Sequence, residues 1–146
     1  MGEDRIDIFP IEDSETVALQ FFESRIQAGF PSPAQGLMGD SIDLNRELID
    51  NPAATFCARV TGNSMVDAGI NDGDLLLIDK SLTPHDGDIA VCFLDGDFTV
   101  KRIALRGKQL LLKPANVEYP EIAVSEENHF IIWGVVTHII HSLNGK

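Results

Sequence analysis

Basic residues are scarce in this chain. It has 11 Lys and Arg against 23 Asp and Glu over 146 residues, a net charge of −12. That deficit argues against a free-standing nucleic-acid binder, which usually shows a basic stripe. It leaves a solvated acidic surface, or one that faces a basic partner. Cysteine is nearly absent too. Cys57 and Cys92 each sit in an apolar run, Ala-Thr-Phe-Cys-Ala and Ala-Val-Cys-Phe-Leu, and read as small buried thiols without a disulfide. No apolar stretch approaches the roughly 18 residues of a membrane span, and no basic-then-apolar leader opens the chain. The expectation is a cytoplasmic protein that does not enter membranes. Four histidines are too few and too scattered for a metal centre. His138 and His141 fall on opposite sides of an expected strand, and His85 and His129 sit beside turns.

What is present is a β pattern in the second two-thirds. Ala54–Val60, Leu75–Asp79, Ile89–Leu94, Phe98–Leu105, Gln109–Lys113 and Phe130–Ile140 carry apolar runs of strand length. Asp95-Gly96 between two of them signals a two-residue hairpin, and Arg106-Gly107-Lys108 reads as the next turn. Asp-Gly-Asp occurs at Asp72, Asp86 and Asp95. The alternate acidic ligands and closing glutamate of a calcium loop are missing, so these are turn residues. No cofactor or metal is expected.

The N-terminal part reads differently. Met1 to Pro10 is charged and unpatterned. Ser14 to Ile26 places Val17, Ala18, Phe21, Phe22 and Ile26 at helical spacing, which predicts an amphipathic helix. Pro31 and Pro33 stop it and hold the backbone extended. Pro33 to Ser41 reads as a linker. Asp43 to Ile49 predicts a short helix capped by Asp43. The expected organisation is mainly β: an arm over residues 1–40, then a single β-rich domain over 41–146 whose strands begin near residue 53.

Two segments carry chemistry. Thr61-Gly62-Asn63-Ser64-Met65 follows a strand, and the glycine permits a sharp bend that can present the Ser64 hydroxyl beside backbone N–H groups. Most serines in such turns are structural. In Phe98-Thr99-Val100-Lys101-Arg102-Ile103, alternation puts Lys101 and Arg102 on opposite faces, so one of them points toward a packed side. A lysine there ordinarily carries its ammonium out to water. A catalytic Lys101 must instead be neutral. A free lysine titrates near ~10.4, leaving roughly one in 2,500 neutral at pH 7. Burial in an apolar face lowers that value by several units, and Ser–Lys pairs need no histidine.

Together these residues resemble the LexA/UmuD self-cleaving proteins. Residues 61–76, Thr-Gly-Asn-Ser-Met-Val-Asp-Ala-Gly-Ile-Asn-Asp-Gly-Asp-Leu-Leu, are similar to their nucleophile segment. Gly-Asp-Ile-Ala-Val from Gly87, with Asp-Gly-Asp-Phe-Thr-Val-Lys-Arg over 95–102, resembles their lysine segment. Trp133 to His138 resembles their closing strand, and Ala28-Gly29-Phe30-Pro31-Ser32-Pro33 the UmuD cleavage segment. The likeness runs from about residue 26 to 140.

The resemblance implies that Ser64 attacks the Ala28 carbonyl and Lys101 moves the proton to the leaving amine of Gly29. Backbone amides over Asn63, Ser64 and Met65 would form the oxyanion hole. Many UmuD-type proteins carry Cys where Ala28 stands; both are small. The resemblance also implies a homodimer, a RecA–single-stranded DNA filament that stimulates cutting, and a UmuC-like Y-family polymerase that takes the shortened product in SOS translesion synthesis. Only Arg5 and Arg25 are basic before the cut, and no recognition helix fits there, which disfavours a LexA-like repressor fragment. The competing readings are a non-catalytic polymerase-binding module and a protease acting on other chains.

Overall fold

The computed structural model describes residues 5–11, 18–22, 38–114, 122–125 and 129–145. The chain divides into two compact units. One combines Met1–Ile11 with Ala53–Lys146, and the other is Glu12–Pro52.

The first unit holds an eight-stranded antiparallel sheet. Its strands are β1 (Arg5–Pro10), β4 (Thr55–Thr61), β5 (Leu75–Asp79), β6 (Ile89–Leu94), β7 (Asp97–Arg106), β8 (Gln109–Lys113), β9 (Ile122–Val124) and β10 (Phe130–Ile140). The order is β1-β4-β5-β10-β6-β7-β8-β9. The last strand of the chain is therefore central. Its first half pairs with β6 and its second half with β5. The register shifts between Ile132 and Gly134 on the β6 side, and between Val136 and His138 on the β5 side. Each irregularity bends the strand and increases its twist, which curls the sheet.

Apolar clusters form on both faces. Val91 and Val100 are paired across β6 and β7 and join Ala58, Val60, Met65, Ile70, Leu76 and Ile78. Their neighbours Ala90, Cys92 and Ile103 point the other way and join Leu112. Strand alternation thus splits one strand pair between two cores. Burying a side chain of the size of Ile70, Leu76 or Ile78, each fully buried, contributes about 1.5–3 kcal/mol.

The six strands expected from the apolar runs are all present, with ends within a residue or so of the expected ones. The Asp95-Gly96 turn has positive φ at both residues, 49° and 95°, as a twist-matched two-residue hairpin requires. Met1 to Pro10 is not unpatterned. Arg5–Pro10 is β1, which pairs along its whole length with Phe56–Thr61 of β4, and Ile6 and Ile8 pack on the first cluster.

In the second unit the helix expected over Ser14–Ile26 is overturned where it is described. Ala18–Phe22 is a strand, β2, paired with β3 (Met38–Asp43). The residues Met38–Ser41, expected as linker, lie in that hairpin. A single short helix is marginal in water, and a cross-strand partner outbids its propensity. The short helix does form as α1 (Leu44–Leu48), with the Asp43 carboxylate accepting from the Asn45 N–H at 3.1 Å. The cleavage segment, Ala28 and Gly29 included, lies outside the described residues.

Candidate active site

Ser64 is placed by a turn fastened from both sides. After β4 the chain bends at Gly62, whose φ is 106°; a side chain at that φ would be strained. The Gly62 N–H donates to the Asp72 carboxylate at 2.9 Å. Beyond Ser64, Met65 is 2% exposed and its carbonyl accepts from the N–H groups of Ala68 and Ile70 at 3.0 and 3.2 Å. The Val66 N–H closes the turn on the Asn63 carbonyl at 3.2 Å. Asn63 is exposed, and Ser64 itself is 8% exposed.

The loop that carries Asp72 is locked to β4 in turn. Gly73 N–H donates to the Val60 carbonyl at 2.8 Å, and Val60 N–H to the Asp74 carbonyl at 3.0 Å. Arg59 adds a bond from its guanidinium to the Gly73 carbonyl. The Asp74 carboxylate is buried; it accepts from the Asn71 N–H at 2.8 Å and meets Nδ1 of His141. That His141 contact was invisible to sequence reasoning.

The other two Asp-Gly-Asp segments are turn acceptors as well. Asp86 accepts from the Leu105 N–H and Asp95 from the His129 N–H. Among the described residues no group of three or more His, Cys, Asp or Glu could hold a metal.

Ser64 opens on a small cleft. Arg5 and Ile6 of β1, Val60 and Thr61 of β4, and Phe98, Thr99 and Val100 of β7 line it with Ser64. The part played by β1 and Phe98 went unnoticed in the sequence. Period-two alternation of Ile6 and Ile8 with Arg5 and Asp7 was the available signal. Lys101 follows Val100 on β7, opposite Ala90, and is 7% exposed. Ala90 across from it is fully buried, and Ile103, two residues on along the same face, is 1% exposed. Burial pushes the neighbouring Cys92 thiol up to about 12. Cys92 is therefore a protonated core thiol rather than a nucleophile.

The structure thus presents a β-rich domain, a curled antiparallel sheet with the buried Ser64 beside the bend at Gly62. The Peptidase S24-like family matches residues 20–137, and the chain belongs to that family. Within it the chain is UmuD-like. It is 42% identical to Protein MucA of Salmonella typhimurium over 136 residues, covering 92% of each chain. It is 46% identical to Protein ImpA of Shigella flexneri over 120 residues, 82% of this chain and 81% of ImpA. It is 38% identical to the LexA repressor of Alteromonas mediterranea over 119 residues, 81% of this chain and 57% of that repressor.

Proposed function

We propose that the chain cuts itself between Ala28 and Gly29 with Ser64 as nucleophile and Lys101 as its base. The neutral Lys101 amine takes the proton as Ser64 Oγ adds to the Ala28 carbonyl. Backbone amides over Asn63, Ser64 and Met65 hold the oxyanion. The C–N bond to Gly29 then breaks, and Lys101 returns the proton to the leaving amine. Water hydrolyses the resulting acyl-enzyme, which restores Ser64 and leaves Ala28 with a free carboxylate.

The observation that carries this reading is the burial of both groups. Ser64 and Lys101 are two of only five buried polar or charged side chains among the described residues. A lysine at 7% exposure is unusual, and buried titratable groups cluster at functional sites. Covalent layout adds support. The stretch 12–52, which contains the scissile bond, is joined at both ends to the unit that contains Ser64. A tethered substrate needs no diffusional encounter.

The UmuD-like relationship supports a role for the cut product as a cytoplasmic accessory subunit of a UmuC-like Y-family polymerase in SOS translesion synthesis. The protein acts as a homodimer, and a RecA filament on single-stranded DNA favours its cleavable state. The test is incubation of the purified chain with RecA, ATP and single-stranded DNA, followed by N-terminal sequencing. A fragment beginning at Gly29 is expected from the wild type and from neither Ser64→Ala nor Lys101→Ala. The same fragment from either variant would remove the dyad from the mechanism.

A further inference from the structure

The proposed cut falls well beyond the end of β1, and this separates cutting from release. All six residues of β1 pair with β4, from Arg5 opposite Thr61 to Pro10 opposite Phe56. Ile6 and Ile8 pack on the first apolar cluster. Arg5 and Ile6 also wall the Ser64 cleft. Breaking the bond after Ala28 removes none of these ladder bonds or contacts.

We propose that the edge of β4 is a strand-binding surface whose occupant is this chain's own N-terminal strand, and that it keeps hold of residues 1–28 after they are severed. The idea rests on the cut at Ala28–Gly29. The processed molecule is then a two-chain complex. It retains the β1 wall of the Ser64 cleft, and its β4 edge stays covered. With β5 already on its other side, β4 offers a free row of backbone donors and acceptors only when β1 leaves. An open edge of that kind pairs readily with another extended chain, so displacement of the severed strand, rather than cutting, is the step that uncovers it.

The experiment uses the full chain with Ser64→Ala to block self-cutting and a site-specific protease sequence inserted after Ala28. After the protease has cut, the sample is run on a non-denaturing sizing column at micromolar concentration and its peaks are read by mass spectrometry. Residues 1–28 are expected to travel one-to-one with the body and to separate only in guanidinium. The pair Ile6→Asp and Ile8→Asp should release the fragment, whereas Phe9→Asp, at a position 52% exposed, should retain it. Circular dichroism of the uncut variants confirms that the sheet is intact. A wild-type fragment that elutes free of the body overturns the proposal without reference to any variant. Because an added protease makes the cut, a chain that fails to cut itself counts against the dyad alone.

Discussion

Gly134 shows how closely single atoms are fitted in the centre of the sheet. A Cβ placed there would lie 2.5 Å from Cγ2 of Ile78, which is itself fully buried. Neither backbone nor side chain can yield cheaply. Gly134→Ala should therefore cost about 1–3 kcal/mol, read as a lower urea midpoint with an unchanged slope. Asp74 is a second single-residue control. Its buried carboxylate serves both the Asn71 N–H and His141. Asp74→Ala leaves that N–H without its acceptor and should cost about 1–3 kcal/mol, with faster amide exchange at Asn71 as the local readout. As candidates, Ser64 and Lys101 stand out in the sequence because each lies in an extended run that resembles a family segment. The Asp74–His141 contact was not, because 67 residues separate the two and no local pattern signals such a meeting.

The elements divide along the same line. Strands with apolar runs or strong turns, from β4 to β8 and β10, could be read directly, since each is specified by its own residues. The hairpin of β6 and β7 is the clearest case. Asp95 and Gly96 both need positive φ, and the turn sets the register that puts Lys101 opposite Ala90. A slip of one residue would send Lys101 to the other face. Gly96→Val should cost on the order of 1–2 kcal/mol, measured as a fall in melting temperature. The strands β2 and β3 were missed because what makes them strands is a partner elsewhere in the chain, whereas β1 left only a short local sign, the alternation of Ile6 and Ile8 with Arg5 and Asp7. β1 depends on β4, some 50 residues on, and the spacing of apolar residues around β2 fits a helix until β3 is supplied. β9 has three residues, too few to show any period.

At the scale of the whole molecule, chemistry and stability respond oppositely to pH. In the proposed dyad the base is an amine that works only when uncharged. Below its pKa the neutral fraction rises about tenfold per pH unit, so the self-cleavage rate should climb with pH, and Lys101→Arg, always protonated, should be inactive across the range. The fold sets the upper limit. The Cys92 thiol ionises near its ordinary value of 9.0 when unfolded but near 12 when folded. Its burial therefore stabilises the protein fully below about pH 9, and that contribution is lost as pH rises toward 12, because the unfolded chain sheds the proton first. A rate profile measured by mass spectrometry of the full-length chain should thus rise to about pH 9 and then be overtaken by unfolding. Cys92→Ala removes the thiol's share of the alkaline loss while leaving Ser64 and Lys101 in place. In that variant the rising limb should keep its slope and the collapse should move to higher pH. A flat profile below pH 9 in a folded protein would show that the proton leaves Ser64 by another route.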